Sequence, residues 1–536
     1  MKGAAFPANW SGGQLMAFSG LDGTTDYKNG LVARTILGAT GLELKLPGEL
    51  VLVFSRGKPG RAVLTGDFFD IEVPEGRVRG AFLDACHFLV EGPCESGKSD
   101  GRIEVLGKGG KTLVGSAAVF NPRLIDSTVG DAINKRSHWL ESLTIPGERD
   151  GEPLRKALSI MKTQVCSPEG GIKHRWTTPD RWPHRAMWLW DSAFHAIGWR
   201  NIDLEVAHDA LMSVLDTAQP DGFIPHMASP DSVSGITQPP VLAMAAAMVN
   251  ETAPDREWLG RIYPRLRAYV EWDLANRDTD GAGLAEWTIE GDPDCRSGES
   301  GMDNSPRFDS AIRLDAVDFN SFLALECETL ERFAVELGRK EDAGVWRERH
   351  ARLVTLINDR LWDEKAGFYF DYDVQAGKRI PVLACSGFMP LACGVTTPER
   401  ARKLAEHLDN PATFGVLLRV PSVATGERSM DEKDMWRGPV WINMNWLIVR
   451  GLRRYGLEDA ASKIESETIE EIERQYGKYG VFFEYYDGLK EIDPPSLKRK
   501  GKCDPASGPY HQVIHDYGWT ASLYVDLLLG NRLKLA

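Results

Sequence analysis

The chain has no C-x-x-C pair, no H-E-x-x-H motif, no run of 18 apolar residues and no basic block to offset its acids. Each absence removes a class of protein. The eight cysteines (Cys86, Cys94, Cys166, Cys295, Cys327, Cys385, Cys393 and Cys503) are scattered through 536 residues, so neither a zinc site nor a disulfide scaffold is indicated. The histidines, among them His184, His195, His226, His511 and His515, lack zinc-enzyme spacing, and His195 within an apolar helical run reads as core. Without a long apolar run no membrane span is predicted. The opening "MKGAAFPANWSGGQLMAFSG" has no continuous apolar stretch of the kind that directs export, so a cytoplasmic chain is expected. A net charge of -14 without a basic counter-block argues against nucleic acid and anionic membranes as partners. A small polar ligand fits better, and neither metal nor organic cofactor is expected.

The length exceeds what one ordinary core fills, which predicts two domains. Residues 1–124 carry short apolar runs broken by turns, "ELVLVF", "RAVLTGDFFDIEV", "RVRGAFL", "CHFLVEG", "GRIEVLG" and "TLVGSAAVF". Their alternation predicts an antiparallel β-sandwich. After a linker at 125–150 the period changes. "EPLRKALSIMKTQV", "LEVAHDALMSVLDTA" and "DFNSFLALECETLERFAVELG" space apolar residues by three and four, the helical stripe.

This period predicts twelve helices over 151–536, near 151–165, 187–200, 203–218, 239–251, 256–276, 311–338, 341–361, 386–393, 398–408, 438–455, 458–475 and 517–530. Connections after the even-numbered members are short and those after the odd-numbered ones long. If neighbours run antiparallel, every long loop emerges at one end. The expectation is a mainly α protein, an (α/α)6 toroid with one functional face.

The third long loop holds "SGESGMDNSPRFD" (297–309), an irregular stretch that presents Glu299, Asp303 and Asp309. The sixth faces it across a closed ring and holds "YGVFFEYYDG", with Glu484 and Asp487, and further on Glu491. A carboxyl on each side of a pocket suits glycoside hydrolysis, in which one protonates the leaving oxygen and the other deprotonates water. Asp309 could instead cap the following helix, and Glu299 could bind backbone amides. Tryptophans in "RWPHRAMWLWD" and "DMWRGPVWINMNW", with the polar side chains of "QPDGFIPHMASPD" and "GITQPP", suit pyranose faces and hydroxyls. Asp278 and Asp280 form a D-x-D-G arrangement, but the twelfth position is Ile289, so a glycine turn is the preferred reading over a calcium loop.

"MWLWDSAFHAIG", "QPDGFIPH", "ITQPP", "ESGMDNSPRFD", "WRGPVWINMNWL" and "FEYYD" together resemble the catalytic domain of glycoside hydrolase family 63 and its trehalase relatives, in particular the bacterial mannosylglycerate and glucosylglycerate hydrolases. The resemblance spans 151–536. It implies Asp303 as general acid and Glu484 as general base of an inverting α-glycosidase, with no metal or cofactor. It also implies Asp191 as a ligand of sugar hydroxyls, with Trp188, Gln238, Trp436, Arg437 and Trp441 as pocket walls or further contacts. Small α-glucosides or α-mannosides, including glycerate conjugates, are the implied substrates, and Arg185, Arg296 and Arg307 are candidates to meet a carboxylate. A glycoside phosphorylase, a polysaccharide lyase on a similar toroid and a non-catalytic sugar-binding protein remain as alternatives.

Overall fold

The computed structural model describes residues 6–145, 151–427 and 429–530. Two antiparallel sheets come first. One is ordered Leu15–Ala17, Val32–Thr35, Thr40–Leu46, Leu50–Ser55, Glu95–Ser96. The other is ordered Ile103–Lys108, Lys111–Ser116, His87–Glu91, Gly76–Asp84, Phe68–Val73, Arg61–Leu64. The period of two turns Leu42, Leu44, Leu52 and Phe54 of the first and Phe69, Ile71, Val78 and Phe88 of the second into one buried cluster.

Helix α1 (Val129–Ser142) covers the other face of the second sheet, with Val129, Ala132 and Ile133 against Phe68, Ala81, Leu89 and Leu113. The stretch 125–150 is therefore not simply a linker. An apolar stripe at helical spacing meets an apolar sheet face, and burial holds the helix there. Positions 146–150 of that expected linker lie outside the described residues.

Among the described residues twelve α-helices follow, as the periodicity predicts: α2 (Glu152–Gln164), α3 (Leu189–Trp199), α4 (Leu204–Leu215), α5 (Leu242–Thr252), α6 (Arg256–Asn276), α7 (Val317–Leu337), α8 (Lys340–Leu356), α9 (Met389–Ala392), α10 (Pro398–Asp409), α11 (Ile442–Arg454), α12 (Glu458–Tyr479) and α13 (Gly518–Leu529). Helices α3, α5, α7, α9, α11 and α13 each pack on the next, and α13 closes on α3. The sequence separates this inner ring from its surroundings. Helices α3 and α13 are buried at every position, whereas outer α10 buries only Ala401, Leu404 and Leu408, a single stripe.

The start of α7 departs from expectation. It begins at Val317, not near 311, because Arg313–Asp315 is a strand paired with Glu286–Thr288 and Tyr372–Asp373. Outer helices α4, α6 and α10 start on side-chain caps, Asp203, Asp255 and Thr397. Inner helices α3, α11 and α13 start instead on Trp188, Trp441 and Tyr517, which cap nothing. Their rings go to a cavity at this end of the ring.

Candidate active site

The cavity is lined by Trp188, Asp191, Gln238, Asp303, Trp436, Trp441 and Glu484 of the residues expected from the sequence. His184, Trp190, Met435, Arg499, Tyr517 and Trp519 complete most of the wall.

Asp303 sits in a loop that bonds to itself. Its carbonyl accepts from Arg296 N (2.8 Å) and Ser297 N (3.1 Å). Gly301 has φ +67°, and a Cβ there would come 2.4 Å from the Trp190 ring, so only glycine lets the loop lie against that indole. Three anchors hold the loop from behind. Arg307 donates to Asp318 (2.5 Å) and Asp371 (3.1 Å) in full burial. Asn304 Oδ1 accepts from Trp436 N at 3.0 Å. Glu299 pairs with Arg277, so it binds a guanidinium and not the backbone amides expected of it. Burial pushes the Asp303 carboxyl up to about 6, with Lys500 and Arg499 opposing the rise and Glu484 adding to it.

Glu484 lies in other company. The Arg499 guanidinium grips both its oxygens, Nε to Oε2 at 2.8 Å and Nη2 to Oε1 at 3.2 Å, and Ile514 N approaches Oε2 at 3.4 Å. Burial weakens the charged form of Arg499, but the adjoining Glu484 carboxylate outweighs that and holds the guanidinium above its ordinary value. A chain of contacts continues outward: Arg499 Nη2 meets His184 Nε2 at 3.4 Å, and His184 Nδ1 meets the buried Asp180 carboxylate at 2.5 Å. The other two acids of this loop do different work. Asp487 accepts from Glu491 N, Ile492 N and Lys433, closing a turn, and Glu491 is exposed.

Asp191 is 2% exposed, and burial followed by the charge of Asp180 raises it to about 8. Tyr517 donates to it at 3.4 Å. The Gln238 carbonyl oxygen Oε1 accepts from Trp190 N at 3.2 Å. Trp436 and Trp441 stack at 4.0 Å with 2° between planes, and Trp190 and Trp519 meet edge to face at 5.2 Å. The arrangement is an aromatic box with the carboxyls of Asp303, Glu484 and Asp191 in its wall, a surface suited to a sugar ring.

Three further expectations are corrected. Arg437 does not line the cavity: Asp309 (3.0 Å) and Glu432 (2.8 Å) hold its guanidinium behind the Asp303 loop. Asp309 therefore caps no helix. Arg307 is sequestered as described, Arg296 faces Asp309 at 3.8 Å, and Arg185 sits over the Tyr27 ring at 4.5 Å, and none of the three lines the cavity. Asp278, Asp280 and Glu286 do gather, with oxygens within 4.8 Å of one another. They accept backbone N–H groups of Gly283, Ala282 and Thr279, consistent with a glycine turn. Arg499 escaped sequence reasoning altogether. Its only signal was a cation fifteen residues beyond Glu484, and spacing alone does not place the two together.

The family model of the mannosylglycerate hydrolase MGH1-like glycoside hydrolase domain matches residues 183–520. A mannosylglycerate hydrolase of Thermus thermophilus is 30% identical over 395 residues, 58% of this chain and 91% of that protein. A glucosylglycerate hydrolase of Mycolicibacterium hassiacum is 26% identical over 411 residues, 58% of this chain and 87% of the relative. The crystal structure of a family 63 mannosylglycerate hydrolase from Thermus thermophilus in complex with glucose covers 70% of this chain and 99% of its own, with TM-score 0.58 and 28% identity. A bacterial glucoamylase complexed with acarbose shares the fold over 99% of this chain and 96% of its own, at TM-score 0.61 and 10% identity. The helical ring thus has (α/α)6 glycosidases as structural neighbours, and the sheet-rich N-terminal region has a counterpart among them. With more than half its length inside the family model and its cavity inside that match, the chain belongs to the mannosylglycerate hydrolase MGH1-like family of glycoside hydrolases.

Proposed function

We propose that the protein hydrolyses a small α-glucoside or α-mannoside, a glycerate conjugate first among them, with inversion at the anomeric carbon. Asp303 is the general acid and Glu484 the general base. One observation carries the assignment: two carboxyls line a single aromatic cavity in opposite surroundings, one raised to about 6 by burial and the other in a bidentate guanidinium fork. Environments that separate two carboxyls in this way mark the acid and the base.

In this mechanism Asp303 delivers its proton to the glycosidic oxygen as the bond to the anomeric carbon breaks. Glu484 takes a proton from the water that attacks the opposite face. The fork on Glu484 occupies one side of each oxygen, and Oε1, without the Ile514 contact, keeps room for that water. Asp191 and Gln238 bind hydroxyls of the sugar, and the tryptophans cover its faces. The names of the relatives support the glycerate conjugates as substrates. The same proposal divides the chain into a β-sandwich domain at 1–124, a connecting segment at 125–150 and a catalytic toroid at 151–536. The separate buried clusters of the sheets and the ring support that division.

The test is turnover of a panel of α-glucosides and α-mannosides that includes glucosylglycerate and mannosylglycerate. Asp303→Asn and Glu484→Gln, confirmed folded by circular dichroism, are expected to lose at least about a hundredfold in kcat. Near-normal turnover by either variant rejects the assignment of that residue.

A further inference from the structure

Among the described residues, the arginines of the cavity wall and behind the Asp303 loop are engaged by the protein's own carboxylates. Arg307 is engaged by Asp318 and Asp371, Arg437 by Asp309 and Glu432, and Arg499 by Glu484. Lys500 differs. Among the described residues no carboxylate comes within ion-pair distance of its ammonium, which lies 5.8 Å from the Tyr510 ring centroid. Yet of the charges around Asp303, that of Lys500 acts on it most strongly.

The backbone holds this lysine deliberately. Arg499 and Lys502 pair across a tight hairpin turn, with Arg499 N donating to Lys502 O at 2.6 Å. Lys500 and Gly501 form its tip with φ of +54° and +75°. Glycine, asparagine or aspartate is the ordinary choice at such positions, and lysine is not. One end of the hairpin is fixed by the fork on Glu484. The tip is fixed by Gly501 N donating to Asp434 Oδ2 at 2.7 Å, beside Met435 and Trp436 of the cavity wall. Tyr510, 39% exposed, completes this rim. Backbone strain kept at the edge of a site, under a charged side chain with no carboxylate partner among the described residues, points to a role for that charge in binding.

We propose that Lys500 sets specificity for the leaving group, its ammonium pairing with a carboxylate carried by the aglycone of the bound α-glycoside. This rests on the assignment of Asp303 as general acid, because the acid protonates the bond to the leaving group and so stands on the aglycone side. A glycerate is an aglycone of this charge and size, and a neutral polyol of the same length leaves the ammonium unpaired.

The experiment compares kcat/KM for glucosylglycerate and mannosylglycerate with that for glucosylglycerol and mannosylglycerol, which replace the carboxylate by a hydroxymethyl group. The wild type is expected to favour the acidic member of the faster pair, by a ratio that shrinks as salt rises. In Lys500→Gln that ratio falls at least tenfold, and in Lys500→Arg most of it returns. A wild type without preference, turnover of neither pair, or an unchanged ratio in Lys500→Gln overturns the proposal. Asp303→Asn in the same series separates the two levels: if it retains turnover, the acid assignment fails, whereas an unchanged ratio in Lys500→Gln with an inactive Asp303→Asn removes only the role of Lys500.

Discussion

Asp303 and Glu484 share a cavity but not an environment, and the pH behaviour of Asp303 follows from its burial. Asp303, the proposed acid, must be protonated to act. With its carboxyl raised from the ordinary 3.8 to about 6, kcat/KM should fall about tenfold per pH unit once pH passes roughly 6. A pH–rate profile checks this, and Asp303→Asn should abolish that limb with the activity. Glu484, the proposed base, is held on both oxygens by the Arg499 fork. Charge-assisted hydrogen bonds of this kind contribute about 1.5–3 kcal/mol, so Arg499→Gln should lower kcat by at least about tenfold in a folded enzyme. Steady-state turnover checks this, and an unchanged kcat would show that the fork does not position Glu484.

At the scale of elements, the loop that carries Asp303 works because its surroundings fix it. Gly301→Ala puts a methyl group 2.4 Å from Trp190 at a positive φ. The loop must then move, and a displacement of about 1 Å near the reacting atoms is enough for roughly a hundredfold loss. The expected result is kcat lowered by about tenfold to a hundredfold in a folded enzyme, with altered tryptophan fluorescence; unchanged kcat would show that the loop has slack. Much of this level was legible beforehand. Helical period and the alternation of short and long loops gave the twelve helices, and "SGMDNSPR" and "FEYYD" gave the two carboxyls that the cavity brings together. The illegible part is what long-range closure decides. Arg437 stands beside Trp436 in sequence but turns to Asp309, 128 positions away. Arg499 reaches Glu484 only because a hairpin folds back. The start of α7 was misplaced because a strand partner 27 residues upstream, Glu286–Thr288, claims Arg313–Asp315.

At the scale of the whole molecule, the N-terminal region is tied to the loop of the base through a buried charge. Asp516, fully buried, accepts from Leu15 N at 2.8 Å and from Phe482 N at 3.3 Å and pairs with Lys156 of α2 at 2.7 Å. Gln14 donates to the Gly480 carbonyl at 3.0 Å beside it. Asp516→Ala leaves Lys156 buried without its carboxylate, a change that costs about 3–5 kcal/mol. Thermal unfolding should show Tm lowered by several degrees, and an unchanged Tm would mean that the sheets and the ring are coupled elsewhere. Through this contact the sheet-rich region supports the segment from which Glu484 projects, four residues beyond Gly480. The proposed inversion requires water to attack the face opposite the leaving group, and the configuration of the first product reports that directly. Proton NMR of glucosylglycerate or mannosylglycerate turnover, recorded before mutarotation, should show the β anomer of the free sugar appearing first. The α anomer appearing first would contradict the paired action of Asp303 and Glu484.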